Sequence, residues 1–203
     1  MTYIPAVTPI DSRYVPLTQQ ASCCVPTCIQ TVMYKLNIPL IPAEEIGYYL
    51  GLVVRPDDGY LFYNARTAAV PPSGGYGTRI YEDEYELNTA FRKMGIPLKY
   101  EIDHIQSITS VDQLRDSLIK VESDDGHALL CFNHGALIDD DKRDWGHVVV
   151  FDRIIDGDIR IIDPSPTHPK WRVVKTEQMY KAMTKHGQKK TAAGVWHISQ
   201  INL

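Results

Sequence analysis

The chain has 203 residues, 44% of them hydrophobic and 23% charged, enough apolar material for one sizeable core, and it is expected to form one domain over 1–203. A net charge of −4, from 21 basic and 25 acidic side chains with no basic run beyond Lys189-Lys190, gives nucleic acid and anionic membranes little to hold. No stretch approaches the ~18 apolar residues of a spanning helix, and Met1-Thr2-Tyr3-Ile4-Pro5 lacks the basic and apolar regions of a signal peptide, so the expected compartment is the cytoplasm.

Residues 1–20 read as extended, because Pro5, Pro9 and Pro16 oppose a helix. A helix is predicted from Pro26 to Leu36: Cys28, Ile29, Val32, Met33 and Leu36 recur at three- and four-residue gaps. Asn37 suits its C-terminal cap, with Pro39 just beyond. Pro42-Ala43-Glu44-Glu45 opens a second short helix through Leu50, its early acids suiting the dipole. Residues 55–78, rich in Pro, Gly and Asp, read as a long loop of the kind that is usually functional or mobile. Within it, Pro72-Ser73-Gly74-Gly75-Tyr76-Gly77-Thr78 fits neither a P-loop nor a dinucleotide fingerprint and reads as a substrate-side loop or a plain loop.

Glu84 to Met94 reads as a helix ended by Gly95 and Pro97, Leu98 to Ile102 as a strand, and Val111 to Val121 as an amphipathic helix. Strands are expected at Ala128–Phe132, Val148–Phe151, Ile159–Ile162, Trp171–Val174 and Val195–Ile201, with a helix at Glu177–Lys185. Asp156-Gly157 is a hairpin signal joining two of these strands. Helices thus dominate the first half and antiparallel strands the second, so the class is α+β.

The chemistry centres on Cys24, which directly precedes Val25-Pro26 at the start of the first helix. Proline near the first helical position loses no useful N–H, and a thiol at the positive end of a helix dipole is favoured as thiolate. By itself Cys24 would read as a small buried apolar side chain. Downstream, His147 leads an apolar strand after Gly146, and Asp163 ends the next strand sixteen positions later. An antiparallel hairpin returns both residues to one rim of a sheet, where Asp163 could hold the imidazole's tautomer. Gln19 or Gln20 could donate a side-chain amide to an oxyanion beside the Cys24 N–H; adjacent residues of an extended segment face opposite ways, so only one serves, and Gln19 is favoured. The chain order Gln, Cys, His, Asp is that of papain-like thiol enzymes.

Cys28 and Cys131 read as core, Cys23 faces elsewhere, and the spacing of Cys23, Cys24 and Cys28 does not match a zinc site. His134 follows a strand and could approach the cleft but reads as a loop residue, and His104, His127, His168, His186 and His197 have no nameable partners in the sequence.

Cys24-Val25-Pro26-Thr27-Cys28 resembles the Cys-Gly-Pro-Thr/Ala helix start of the bacteriocin-leader peptidases and their free-standing C39-like relatives. Gly146-His147-Val148-Val149-Val150 resembles that family's Gly-His-hydrophobic strand, and Asp163-Pro164 its Asp-Pro. Residues 40–125 have no counterpart among these motifs. Val25 stands where the family has Gly, and Thr18 where its glutamine usually lies. The resemblance implies a papain-like α+β fold, a helical lobe led by the Cys24 helix packed on a twisted antiparallel sheet. It further implies a Cys24–His147–Asp163 triad with Gln19 in support, a thioacyl intermediate, a peptide or protein substrate and no cofactor or metal. The same site would serve an acyl or γ-glutamyl transferase like the phytochelatin-synthase-like enzymes, and a degenerate peptide-binding module is the alternative that Val25 favours. Oligomeric state stays open.

Overall fold

The computed structural model describes residue 9 and residues 11–72, 75–188 and 192–201. The expected extension of residues 1–8, Ser73-Gly74 of the glycine-rich segment and the Lys189-Lys190 pair lie outside the described residues.

The first helix, α1, runs over Cys24–Lys35 and buries Cys28, Ile29, Val32 and Met33, the stripe its periodicity predicts. It starts two residues earlier than the apolar spacing indicates, with the Thr27 N–H donating to the Cys23 carbonyl. Beyond its end Asn37 takes a left-handed φ of 55°, and the Ile38 N–H closes on the Met33 carbonyl at 2.9 Å. Helix α2 follows at Ala43–Tyr49.

Residues 55–78 are more structured than a plain loop. Strand β1, Val53–Val54, pairs in parallel with β2, Arg66–Thr67, across a 3-10 turn at Pro56–Leu61. Helix α3, Leu87–Met94, begins three residues later than the sequence suggests. The reason is its cap: the Glu86 carboxylate accepts from the Asn88 and Thr89 N–H groups, both at 2.9 Å.

Thereafter helices and strands interleave instead of segregating: β3 (Leu98–His104), α4 (Val111–Ser123), β4 (His127–Asn133), α5 (His134–Leu137), β5 (Gly146–Ile155), β6 (Asp158–Ile162), β7 (Trp171–Val174), α6 (Thr176–Gly187) and β8 (Gly194–Gln200). The six strands from β3 to β8 form one antiparallel sheet in the order β3-β8-β4-β5-β6-β7. Asp156 and Gly157 turn the β5–β6 hairpin with φ of 50° and 84°, the pair of positive φ values that a type I′ turn demands.

Both faces of this sheet are covered. Leu129, Cys131, Val148, Val150, Ile162 and Trp196 pack with α1 and α3 on one side. Alternate residues Ala128, Leu130, Phe132, Val149, Phe151 and Ile161 pack with α4 and α6 on the other. The fold is α+β and papain-like, with the Cys24 helix against an antiparallel sheet, and a second helical layer lies behind the sheet. Among the described residues no helix is long and apolar enough to cross a membrane.

A buried ionic cluster fixes the N-terminal approach to the site. Asp152 sits at a β-bulge between Phe151 and Arg153, is fully buried, and accepts from the Arg160 Nε at 2.6 Å and the Arg13 N–H at 2.8 Å. Arg13 also reaches the Gly126 carbonyl at 2.6 Å, tying residues 11–14 to the sheet.

Candidate active site

Cys24 is the first residue of α1 and half-buried, while the other three cysteines are buried. The site's opposite wall comes from register. Val150 pairs with Ile162 across β5 and β6, so His147, three residues before Val150, and Asp163, one after Ile162, come out at the same end of the hairpin. The His147 Nε2 and Asp163 Oδ1 are 2.8 Å apart, and Cys24 lines the same cleft as His147. Thiol, imidazole and carboxylate are thus gathered at one end of the hairpin.

Asp163 is fully buried and serves four groups. Its Oδ1 also accepts from the Ser165 N–H at 2.9 Å, and its Oδ2 from Arg172 Nη2 at 2.7 Å, with His168 Nδ1 at 3.2 Å. Burial by itself would raise the Asp163 pKa, but the hydrogen bond and charge of His147, the Ser165 N–H and Arg172 hold it well below the usual carboxylate range. For His147, burial opposes the imidazolium, yet the hydrogen bond to Asp163 and the nearby Cys24 outweigh it and lift the pKa to about 9. Burial pushes the Cys23 thiol up to about 12 and the Cys28 and Cys131 thiols well above the ordinary thiol range.

His168 and Arg172 escaped the sequence reading, and His134 reads from sequence as a loop residue able to approach the cleft. His134 is not a loop residue: it opens α5, is buried, and stacks on Trp145 at 5.5 Å and on His168 at 5.1 Å between centroids. It also meets His147 edge to face at 5.4 Å. Burial, then the charges of His147 and His168, push its pKa down to about 4, so it stays neutral at pH 7. His168 and Arg172 both pair with Asp163. The one available signal was the Asp-Pro-Ser-Pro-Thr-His segment itself, whose length returns His168 to the aspartate. Elsewhere His127 pairs with the Tyr14 hydroxyl and His197 with Asp103, partners far away in sequence.

Of the two glutamines, Gln19 is half-buried and Gln20 exposed. The Gln19 N–H donates to the Pro164 carbonyl at 2.9 Å, which tethers the segment to the Asp163 strand end, and the Gln20 carbonyl accepts from the Cys23 N–H. The Gln19 Oε1 is buried without a hydrogen-bond partner among the described residues. Gln20 instead lines, with Thr18, a surface recess of about 400 Å³ beside Pro42–Glu44.

A cleft of about 100 Å³ opens beside Cys24 and His147, its far wall formed by Tyr76–Thr78, Ile80 and Tyr81. The glycine-rich segment thus reaches the site at its described part. Cys131 is buried as expected of a core residue and also lines this cleft.

Helical lobe, two-sided sheet and the cleft shared by Cys24 and His147 together define a protein with a papain-like α+β fold. Over 93% of this chain and 96% of the other, the structure matches that of a candidate C39-like peptidase from Bacillus anthracis, with a TM-score of 0.54 and 14% sequence identity. At that identity the likeness is one of fold. No family model matches the sequence, and no curated protein matches it either.

Proposed function

We propose that the protein is a cysteine hydrolase, a peptidase of the C39-like type acting on peptide or protein substrates through a thioacyl intermediate. The observation that carries this reading is the 2.8 Å contact of the His147 Nε2 with the buried Asp163 at a cleft that Cys24 and His147 both line. In this reading the Cys24 thiol gives its proton to His147 and the sulfur attacks the substrate carbonyl, forming a C–S bond and a tetrahedral oxyanion. His147 then gives its proton to the departing amine as the C–N bond breaks. A water molecule, losing its proton to His147, attacks the thioester carbonyl, and the C–S bond cleaves to release the acid and restore the thiol.

Alkylation mapping tests the nucleophile. Iodoacetamide at about pH 6 should label Cys24 before Cys23, Cys28 or Cys131, because those three are buried and held as neutral thiols. Preferential labelling of any of the three overturns the assignment. Products formed with added amines separate hydrolysis from acyl transfer at the same site.

The oxyanion donor is tested separately. Gln19, whose backbone N–H is tethered to Pro164 and whose Oε1 is buried, is the proposed side-chain donor, through its Nε2, beside the Cys24 N–H. Gln19→Ala should slow turnover by about 10²–10³-fold, the usual effect of losing one such donor, while Gln20→Ala should be nearly silent. The reverse result moves the role to Gln20, and two silent variants remove the side-chain donor altogether.

A further inference from the structure

We infer that Arg172 is a positioning residue for the triad: by holding the Oδ2 of Asp163 from β7, it keeps the carboxylate ionised with its other oxygen, Oδ1, turned to the His147 Nε2. This rests on the proposed peptidase reading and adds to it a residue that acts through the aspartate.

The two oxygens of Asp163 have separate duties. Oδ1 meets the His147 Nε2 at 2.8 Å and accepts from the Ser165 N–H at 2.9 Å. Oδ2 accepts from the Arg172 Nη2 at 2.7 Å, with the His168 Nδ1 at 3.2 Å. The last side-chain torsion of an aspartate is soft, so a carboxylate held on one side only can turn away from its imidazole. Arg172 closes that freedom from the far side. Strand register brings it there: Arg172 pairs with Ile161 across β6 and β7, two positions before Asp163.

Among the described residues no other neighbour brings a permanent cation to Oδ2. His168 is the longer contact, and burial holds its pKa below the usual imidazole value, so it is mostly neutral at pH 7. The Lys170 Nζ is committed to the Pro164 and Ser165 carbonyls. The remaining ionisable neighbours, His134 from α5 with Cys24 and Cys28 from α1, carry no permanent positive charge. A guanidinium stays charged throughout the working pH range. Its place also costs something. Most of the Arg172 side chain is buried on the edge strand, and its Nε has no hydrogen-bond partner among the described residues. For packing alone, an apolar side chain would serve as well or better in such a place.

Removing the cation has opposed consequences for His147. A repulsion is lost, which favours the imidazolium, but the guanidinium lies on the other oxygen of the carboxylate, and this effect weakens with distance. Against it, the buried Asp163 drifts toward its neutral form, because burial raises its pKa and Arg172 is one of the groups that oppose the rise. The carboxylate is also freed to rotate. Both changes loosen its hold on the imidazolium, so the His147 pKa, lifted to about 9 in the wild type, should fall.

The test is an NMR pH titration of the imidazole Cε1 resonances in wild type, Arg172→Met and Arg172→Lys, with the His147 signal identified by its loss in His147→Ala. In Arg172→Met the His147 pKa should drop by about one unit or more, each unit being a tenfold change in the proton equilibrium. Arg172→Lys, which keeps the charge, should lie between that variant and wild type. Turnover by Arg172→Met should show kcat lowered about 10–100-fold with KM little changed, the usual cost of removing a group that orients a reacting one. In an Asp163→Asn background the same substitution should leave the His147 pKa in place or raise it, because only the repulsion is then left to lose. If Arg172→Met does not fold, Arg172→Gln, also neutral, replaces it. An unchanged or raised His147 pKa in the neutral single variant, a lysine variant no nearer wild type, or an equal fall in the Asp163→Asn background overturns the role. The titration needs no substrate, which separates two failures. If Cys24 alkylates selectively but the His147 titration does not move, only the role of Arg172 falls. If Cys24 does not react, the peptidase reading falls, and the role of Arg172 in it falls too.

Discussion

Replacing His147 with alanine should lower kcat by about five to six orders of magnitude on any substrate the wild type cleaves, the scale seen when one member of a catalytic unit is removed. The geometry explains the size of the effect. His147 shares a cleft with Cys24 and pairs with the Asp163 carboxylate, so in the proposed triad the variant loses the thiol's base and the leaving group's acid together. His134 cannot take over: its ring faces the edge of His147 and its pKa is pushed down to about 4. Steady-state turnover with far-UV circular dichroism as a folding control checks the expectation. Activity above about 1% of wild type in a folded variant would dismiss the triad, given the magnitudes for such deletions.

Asp163→Asn should reduce turnover at pH 7 by about 10²–10⁴-fold, the range of a general acid–base contribution, and should also change the pH profile. The sign follows from the two shifts. His147 stays protonated up to about 9, so the wild-type kcat/KM should fall on the alkaline side with an apparent pKa near 9. Without the carboxylate, burial lowers the His147 pKa unopposed from that side, and Arg172 is left without its counter-charge. The alkaline limb should therefore retreat toward the unperturbed imidazole value of about 6.5. Stability follows the same logic. Raised in the fold, the His147 group contributes fully below about pH 6.5 and loses its contribution as pH climbs through about 9. Asp163, lowered in the fold, contributes above about pH 4 and loses its contribution as the solution is acidified through its depressed value. Thermal unfolding of wild type against Asp163→Asn across pH 4–10 should show the gap narrowing at the alkaline end. A gap that widens there contradicts the pairing. The sheet itself should persist, because Asp163 stands beyond the last β5–β6 pair, Val150–Ile162.

Much of the scaffold was legible before any coordinates, and for local reasons. The α1 stripe is written in three- and four-residue gaps, and Asp156-Gly157 demands a tight turn whatever surrounds it. Because that turn makes β5 and β6 antiparallel neighbours, the meeting of His147 and Asp163 was nearly a local fact, two strand ends sixteen residues apart. Even the second helical layer left a trace: Ala128-Leu129-Leu130-Cys131-Phe132 is apolar at every position, which suits a strand covered on both faces.

Other features depend on contacts between distant segments. The last strand, β8, lies between β3 and β4, a placement set by which strand edges remain unpaired once the others have formed. The delivery of Cys24 to that imidazole requires α1 to pack on β5, a contact across more than a hundred residues. The assembly around Asp163 is of the same kind. His168 and Arg172 arrive through the β6–β7 connection and the following strand, and His134 through a one-turn helix capped by the Asn133 side chain. The sequence by itself determined most of the longer elements and the hairpin, because propensity, periodicity and turn chemistry act over a few residues. Only the tertiary structure decided strand order, the two-sided covering and the polar partners of the buried aspartate, because a buried charge takes whatever donors the packed fold brings within about 3 Å.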